Sequence, residues 1–485
     1  HQAWTASWLR VTRVLERAAA AGMHDVLTLG VTPPVTWQVA DPRLAAETAG
    51  WLAAAVWRAE EQRHHHRMGP EVTRLGPHWW GHFADLAAHH ADVEARGGLL
   101  GVWRGLADAG VVELLAGPAT HPVLPLEDPD LAAAQVMAGV AAHRAWAGSG
   151  SGSGRTGLGL WPPELAHGPG LGGALAASGV THVVLDGPAV AAAAADPATA
   201  LHRGVRTADG VAIMARDRAL SERIWADPGG YPGDPWHLDH HATGGYGVHR
   251  SWRVTDIGRP PDRKAPYEPA RAAARAAAQA DDLVAAVRTR LADDPDGVAV
   301  VAVDTELLGQ WWHEGPVWLE AVLDRVAHAP DLATTTLARR VAEHPPPPAR
   351  TEPVGTWAPD GGTARWTDGP AAGPRRAVAD LVRDARAGLR GGRGGAAARA
   401  AVAREVALAS GSDWTFMASQ GRAGGYGRDR LEGHVARARA VLDAIAGADA
   451  AAAAAAAGAC DPVPPDVTVL LAALDPDGPE AARRR

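Results

Sequence analysis

The stretch VAVVAVDTELLGQWWHEG, residues 298–315, gives the strongest indication of the fold. It opens with six consecutive apolar residues, as expected for a β-strand that is buried on both faces in a parallel sheet. Asp304 ends this run, and Glu306 and the pair Trp311 and Trp312 follow shortly after it. Burial at the end of such a strand raises the pKa of a carboxyl group towards the range of a general acid. The stretch therefore predicts a strand that delivers Asp304 to a functional site.

Five further apolar runs end in the same abrupt way, and stretches of helical character rich in alanine and arginine lie between them. The runs are HDVLTLGVTP (24–33), VVELLAGPATH (111–121), GLGLWPPE (157–164), THVVLDG (181–187) and VAIMARD (211–217). Strands that alternate with helices are typical of an α/β sheet or barrel with crossover helices. We predict a closed barrel, with a doubly wound open sheet as the alternative. In a barrel, the catalytic residues lie at the carboxyl ends of the strands.

The composition excludes several classes of protein. The 485 residues contain 47 Lys and Arg against 55 Asp and Glu, which gives a formal net charge of −8. Binding to nucleic acid or to an anionic membrane requires clustered positive charge, so we predict neither partner. No stretch of about 18 strongly apolar residues indicates a membrane span. Cys460 is the only cysteine, which excludes an internal disulfide and a thiolate zinc site and fits the cytoplasm, where we expect the protein.

Two features divide the chain. Residues 43–100 interrupt the strand pattern with a helical segment rich in His and Trp, and the prolines at 345–348 break any helix. We therefore predict a catalytic barrel over residues 1–345, with a helical insertion at about 43–100. Residues 346–485 are predicted to form a helical C-terminal domain with a low-complexity tail.

Two acidic residues each follow the end of a predicted strand and have a tryptophan nearby in the sequence. In GLWPPELA, residues 159–166, two prolines after a buried strand hold Glu164 on a stiff turn beside Trp161. Alternatively, Glu164 is an ordinary exposed glutamate in a loop, and Asp304 caps the helix that follows it. Two carboxyl groups are the minimum for cleaving a glycosidic bond. The 19 Trp residues, against 4 Tyr and 2 Phe, suit the flat faces of sugars, although core packing explains most of them.

Histidine clusters offer a different chemistry. HHH (64–66), HH (89–90) and HLDHH (237–241) contain imidazoles that could bind a divalent metal, as in barrels that deacetylate polysaccharides. Adjacent histidines in a helix point to different faces, so solvated side chains explain the first cluster better. HLDHH is the strongest of the three, but we predict no metal and no other cofactor.

Several motifs, found in order along the chain, resemble glycoside hydrolase family 57 and, within it, the α-1,4-glucan branching enzymes. They are GLWPPELA, AVDTELLGQWWHEG and ASGSDWTF, with ELLAGPATHPVLPL, IWADPGGYPGD, SWRVTD and RKAPYEP. The resemblance extends from about the first residue to about residue 440. It implies a (β/α)7 barrel with a helical insertion and a helical C-terminal domain that completes the cleft. It also implies a cofactor-free retaining reaction that cleaves α-1,4 links and forms α-1,6 branches.

The resemblance also implies roles for individual residues. Glu164 matches the nucleophile and Asp304 the general acid/base, and retention predicts ~5–5.5 Å between their carboxyl groups. His121 matches a histidine beside the reacting sugar, and Tyr231 matches the tip of a mobile loop that covers the cleft. We predict further substrate contacts by aromatic and acidic side chains, namely Trp161, Trp252, Trp312, Asp413 and Trp414.

The sequence departs from the family pattern in four places. The family opens with a His-x-His-Leu-Pro strand that is absent here, so we expect a natural start upstream of His1 and one barrel strand missing from this sequence. Gln310 replaces a histidine, His313 an aromatic residue and His167 a tyrosine.

Alternatives to branching stay open at this stage. An α-amylase or a 4-α-glucanotransferase of the same family would use the same carboxyl groups, and a catalytically weak glucan-binding protein would not need them. We expect an α-glucan such as amylose or glycogen as the substrate, and a monomer or a small homo-oligomer.

Overall fold

A computed structural model describes residues 1–64, 69–148, 157–226, 229–242, 249–256, 258–260, 263–421, 423–464 and 466–482. The strands within these ranges are β1 Leu27–Gly30, β2 Val112–Leu115, β3 Leu158–Leu160, β4 Val180–Asp186, β5 Val205–Arg206 and β6 Ala212–Arg216.

The strands form a mostly parallel sheet. β1 pairs with β2, and β4 lies between β3 and β6, all in parallel, whereas β5 runs antiparallel to β6. A parallel bridge between Ala116 and Leu160 joins β2 to β3, and a second one between Arg216 and Val300 joins β6 to the segment 298–303. The parallel neighbours are therefore β1, β2, β3, β4, β6 and the segment 298–303, in chain order.

Side chains from strands that are not neighbours meet inside the sheet. Leu115 of β2, Val184 of β4 and Met214 of β6 belong to one buried cluster, and Val298 and Val300 pack against it. These side chains form one continuous layer on a single face of the sheet, from β2 to the segment 298–303. The sheet therefore curves around these side chains as the wall of a barrel.

The described α-helices surround and follow this sheet. They are α1 Leu9–Ala20, α2 Pro33–Val39, α3 Pro42–His64, α4 Pro70–Thr73, α5 Gly76–Ala95, α6 Gly98–Asp108, α7 Pro129–Ala147, α8 Leu171–Ala177, α9 Gly187–Ala193, α10 Pro197–Arg203, α11 Arg218–Trp225, α12 Pro269–Leu291, α13 Gly315–Ala327, α14 Leu337–Glu343, α15 Ala364–Thr367, α16 Ala372–Leu389, α17 Ala396–Ala409, α18 Ser412–Gln420, α19 Tyr426–Ala446, α20 Ala450–Gly458, α21 Thr468–Leu474 and α22 Pro479–Ala482. A π-helical turn, Trp4–Trp8, precedes α1.

The segment 298–303 differs from its prediction as a regular strand. It is extended, but its ladder with β6 consists of one bridge, in which the N–H of Asp217 donates to the carbonyl of Val300 at 2.8 Å. The N–H of Val298 donates instead to the carbonyl of His202, at the end of α10, at 3.0 Å. The segment thus shares one backbone hydrogen bond with β6 and one with the end of α10. One hydrogen bond to β6 is too few for a regular pair of strands.

The helical C-terminal part has its own core. Val402 and Val406 of α17, Leu381 of α16, Val441 of α19 and Leu470 of α21 are fully buried in one cluster. α7 of the barrel contributes side chains to the same cluster, so the helical part is packed directly onto the barrel. The low-complexity alanine segment forms α20 at its edge.

The α/β class, the helical insertion and the helical C-terminal part are confirmed. α3, α4 and α5 occupy the predicted insertion between β1 and β2. The domain limits at 1–345 and 346–485 stay predictions. None of the helices in the described ranges is both long enough and apolar enough to cross a membrane.

Candidate active site

Glu164 lies on a strained turn at the carboxyl end of β3. Pro162 and Pro163 follow the strand closely, and the chain turns into a short 3-10 helix, Pro163–Leu165. Glu164 adopts φ 61° and ψ 18°, in the left-handed region that residues other than glycine rarely occupy. Strained backbone of this kind is concentrated at functional sites, because the surrounding structure must hold it in place.

Trp357 fixes the Glu164 carboxyl group. Its indole Nε1–H donates a hydrogen bond to Glu164 Oε2 at 2.6 Å, and its backbone N–H donates to the Glu164 carbonyl at 3.1 Å. The indole packs against Trp366 and Phe416 at centroid separations of 5.7 and 5.9 Å, and the Arg365 guanidinium lies over its ring. Trp357 is thus the most direct partner of Glu164, and the sequence analysis missed it.

Replacing Trp357 with Phe is expected to lower kcat by roughly 10- to 150-fold, because a hydrogen bond to a charged group contributes about 1.5–3 kcal/mol. The phenyl ring keeps most of the packing but cannot donate to Glu164. Steady-state kinetics on amylose, the expected substrate class, would measure the loss. Trp366→Phe is the matched control, because the Trp366 Nε1 is buried without a hydrogen-bond partner. Equal losses in the two variants would show that only packing matters.

Asp304 ends the segment 298–303 and is followed by a 3-10 turn, Thr305–Leu307. Its side chain is accessible to solvent although protein surrounds it, as expected for a group at the floor of a cleft. Burial is the main cause that raises the pKa of Asp304 from 3.8 to about 6. A carboxyl group with this pKa is still protonated in a useful fraction of molecules near neutral pH, so it can act as a general acid.

Four side chains lie close enough to Asp304 for their charges to act on it. After burial, the negative charges of Glu306, Glu164 and Asp413 raise the pKa of Asp304, whereas His121 lowers it. These groups come from the ends of β2 and β3, from the turn after Asp304 and from α18. The structure therefore brings together four of the predicted site residues, namely Glu164, Asp304, His121 and Asp413.

His121 connects β2 to the C-terminal helical part. It adopts φ 61°, and its carbonyl accepts a hydrogen bond from the backbone N–H of Ser412 at 2.9 Å. This contact sets Asp413 and Trp414, in the first turn of α18, next to the edge of the barrel that carries the carboxyl groups. Trp414 is half-buried, and its Nε1–H donates to the carbonyl of Leu408 at 2.7 Å.

Trp161 and Trp252 are half-buried in two different places. Trp161 opens the turn that carries Glu164 and packs on the cluster inside the barrel. Trp252 lies on a loop, where its backbone forms an antiparallel bridge with Pro266. Both rings keep an accessible part, and their contact with substrate stays a prediction.

Tyr231 and Trp312 are both enclosed in the core. Tyr231 is 7% exposed, and its hydroxyl donates to Asp282 of α12 at 2.7 Å. Trp312 is 1% exposed and packs against Tyr231 and Trp318 at 5.9 and 5.4 Å between ring centroids. A ring without an accessible face cannot stack on a sugar. The structure leaves Trp312 no accessible face for a sugar, and the role of Tyr231 on a loop that covers the cleft stays a prediction.

His167, a departure from the family pattern, supports the Trp357 loop. Its backbone pairs with Gly355 through two hydrogen bonds of 3.0 and 3.1 Å. Its imidazole Nδ1 lies 2.8 Å from the carbonyl of Pro353 and donates to it. His167 thus anchors the chain two residues before Trp357 and acts on Glu164 only through that loop.

Side chains of the histidine clusters form hydrogen bonds and ion pairs within the protein. In HLDHH, His237 is hydrogen-bonded to Gln279 at 2.8 Å, Asp239 pairs with Lys264, and the His240 Nδ1 lies 3.0 Å from the carbonyl of Gln310. HHH (64–66) lies partly outside the described residues. Within the described ranges, His, Cys, Asp and Glu form no group of three or more with the arrangement of a metal site.

Sequence comparisons identify relatives of this chain. The family model "Glycosyl hydrolase family 57" matches residues 61–349, and "1,4-alpha-glucan branching enzyme, C-terminal" matches residues 376–467. A probable 1,4-alpha-glucan branching enzyme of Mycobacterium tuberculosis is 32% identical, over 92% of this chain and 87% of that protein. A 1,4-alpha-glucan branching enzyme of Thermococcus kodakarensis is 25% identical, over 89% of this chain and 67% of that protein.

Solved structures share the fold. A family 57 branching enzyme from Pyrococcus horikoshii superposes with a TM-score of 0.82 at 23% identity, over 98% of this chain and 88% of that one. The α-amylase AmyC from Thermotoga maritima gives 0.82 at 20% identity, over 97% of this chain and 93% of that one. The similarity at this identity concerns the fold alone and confirms the predicted barrel with its helical C-terminal part. From its sequence match over more than half of its length, this chain belongs to glycosyl hydrolase family 57.

Proposed function

We propose that this chain is a retaining α-glucan branching enzyme, with Glu164 as the nucleophile and Asp304 as the general acid/base. The observation that carries the proposal is the meeting of two carboxyl groups in unlike environments. Glu164 accepts a hydrogen bond from the indole N–H of Trp357, whereas burial and nearby negative charges raise the pKa of Asp304 to about 6. Environments that separate two carboxyl groups in this way assign one as the base and the other as the acid.

The reaction would proceed in two displacements. Glu164 attacks the anomeric carbon of an α-1,4-linked glucose while protonated Asp304 gives its proton to the departing glycosidic oxygen. This step leaves a β-glycosyl ester on Glu164 and a free 4-hydroxyl on the released chain. Asp304, now ionised, then takes the proton from the 6-hydroxyl of an acceptor glucan, whose oxygen displaces Glu164. The product has an α-1,6 link, so the configuration is retained and Asp304 is protonated again.

Two comparisons support branching over the other reactions of this chemistry. The curated relatives are named as branching enzymes, and the C-terminal match over residues 376–467 is to the branching-enzyme domain. That domain brings Asp413 and Trp414 to the catalytic edge, where an acceptor chain must be held so that its 6-hydroxyl outcompetes water. Hydrolysis by an α-amylase, or transfer to a 4-hydroxyl, would require only a different acceptor at the same two carboxyl groups.

We further propose an α-glucan such as amylose or glycogen as the substrate, a cytoplasmic location and a monomeric or small homo-oligomeric state. The location rests on the single cysteine of the chain, which suits a reducing compartment.

Linkage analysis of the product tests the proposed reaction. After incubation with amylose, proton NMR should show new α-1,6 anomeric signals, while the number of reducing ends stays nearly constant. New reducing ends without α-1,6 signals would identify an amylase, and redistributed α-1,4 chains would identify a 4-α-glucanotransferase. The same incubation with Asp304→Asn is the control, and α-1,6 signals that grow as fast in that variant as in the unchanged protein would contradict the assigned role.

A further inference from the structure

A cluster of histidines and arginines lies beside the turn that follows Asp304, and the proposed reaction does not use it. His78 and His82 come from α5, Arg10 from α1, His313 from the turn before α13, and Arg250 from a loop. All five side chains are half-buried, so each keeps a part accessible to solvent. We call these five residues the Arg10–Arg250 cluster.

The three rings and the Arg10 guanidinium of this cluster are close neighbours. His82 lies 6.4 Å from His78 and 5.2 Å from His313, measured between ring centroids. The Arg10 Nη1 is 3.4 Å from the His313 Nδ1, and both Arg10 and Arg250 are close enough to lower the pKa of His313, after burial as the main cause. Both guanidinium groups are therefore within electrostatic range of His313, and that of Arg10 contacts it.

Neither guanidinium forms an ion pair within the described ranges. Among the residues that the structure describes, Arg10 finds only one hydrogen-bond acceptor besides His313, the carbonyl of Ala6 at 3.5 Å. Arg250 contacts the His240 Nδ1 at 2.9 Å and the carbonyl of Asp239 at 3.5 Å. Burying a cation without a counter-charge costs free energy, and arginine in proteins normally meets a carboxylate or a phosphate in such places.

The charges around the cluster do not balance. Glu314 acts on Arg10 through space, but its Oε1 already accepts from the hydroxyl of Tyr267 and from a backbone N–H. Asp239 acts on Arg250 through space but is already paired with Lys264, and Arg13 is paired with Asp85. Two arginines against one glutamate leave one positive charge in excess.

The histidines of the cluster are neutral near pH 7. Burial and the charge of Arg10 lower the pKa of His78 to about 4, and the same two causes lower the pKa of His82 and of His313. The neighbouring His249 and Tyr267 are neutral as well, because burial lowers the pKa of the first to about 4 and raises that of the second. A neutral imidazole still donates one N–H, and the His78 Nε2 is buried without a hydrogen-bond partner.

We propose that the Arg10–Arg250 cluster binds a compact oxyanion, the phosphate or carboxylate group of a small molecule. Two guanidinium groups provide charge-assisted donors, and the imidazole N–H groups complete the shell around a single negative charge. None of the five side chains is among the charges that act on Asp304, so the site is distinct from the proposed catalytic pair. It stands on the observed contacts and does not depend on the branching reaction.

Titration with inorganic phosphate, followed by calorimetry and by thermal unfolding, tests this site. We expect saturable binding at one site per chain and a Tm that rises with phosphate but not with NaCl at equal ionic strength. Arg10→Gln should weaken the binding at least tenfold. The matched control is Arg17→Gln on the same helix, since Arg17 forms an ordinary exposed ion pair with Glu320. Acetate in place of phosphate would distinguish a carboxylate site from a phosphate site.

Two results would overturn the proposal. One is the absence of a saturable response beyond that to NaCl, and the other is equal phosphate affinity in folded Arg10→Gln and in the unchanged protein. Should Arg10→Gln fail to fold, Arg250→Gln replaces it, with the same tenfold criterion. Because the measurement involves no turnover, failure of the branching proposal would leave its outcome unaffected.

Discussion

Replacing Glu164 with Ala is expected to reduce kcat on amylose by at least about a thousandfold, because no other group can form the glycosyl-enzyme. The fold should survive, since the variant removes an acceptor and not an apolar contact. Far-ultraviolet circular dichroism and Tm would check the fold, and iodine staining with NMR would check turnover. Glu320→Ala, which removes an exposed carboxyl group on α13, is the control and should keep full activity.

Azide can distinguish the roles of the two carboxyl groups. In Glu164→Ala, azide fits the space of the lost carboxylate and attacks an activated α-glucosyl donor from the opposite side, so the product is a β-glucosyl azide. In Asp304→Ala, the glycosyl-enzyme on Glu164 still forms, and azide then displaces Glu164 to give the α-anomer. An α-azide from the Glu164 variant would contradict its assignment as the nucleophile.

The positions of both carboxyl groups follow from local sequence. The apolar run 298–303, which is half-buried, and β3 run in the same direction as the other parallel strands, so the polar residues that come next lie at the same end of the sheet. A parallel sheet brings those ends together, which is why Glu164 and Asp304 meet although 140 residues separate them in the sequence. The paired prolines before Glu164 gave a further local signal, and the strained turn is its structural counterpart.

Trp357 could not be predicted in the same way. It reaches Glu164 from a loop 193 residues further along the chain, and that loop is held by His167 and by aromatic packing, not by a regular element. Its only signal is the segment WAPDGG, 357–362, in which a Trp precedes turn-forming residues. Contacts between a loop and a remote turn leave no periodicity, so pattern analysis does not detect them.

The pair Trp311 and Trp312 shows a second limit. Consecutive side chains point in different directions, so at most one of the two rings could face a cleft, and the sequence does not say which. Trp312 is enclosed beside Tyr231 and Trp318, whereas Trp311 is half-buried and contacts exposed Trp225 at 5.4 Å. Packing against residues that are remote in the sequence determines which of the two rings is enclosed.

The pH dependence of activity should report the pKa of Asp304. The proposed first step requires the protonated form, and burial with neighbouring negative charges sets the pKa at about 6. As pH rises through this value, the active fraction of the free enzyme falls, so kcat/KM should decline tenfold per pH unit well above about pH 6. Asp304→Asn should remove this limb and lower kcat by roughly a hundredfold or more, since general acid catalysis contributes 10²–10⁴-fold.

Glu306→Gln should move the alkaline limb to lower pH. Glu306 is the largest of the charged causes that raise the pKa of Asp304, so removing its negative charge makes ionisation of Asp304 easier and lowers that pKa. The glutamine keeps an oxygen that can accept the hydrogen bond donated by the Trp8 Nε1, which is 2.8 Å long, so the turn should keep its shape. The kcat/KM profile of Glu320→Gln is the control and should match that of the unchanged protein. A limb that stays in place in Glu306→Gln, or that moves to higher pH, would show that Asp304 is not the group whose ionisation limits the reaction.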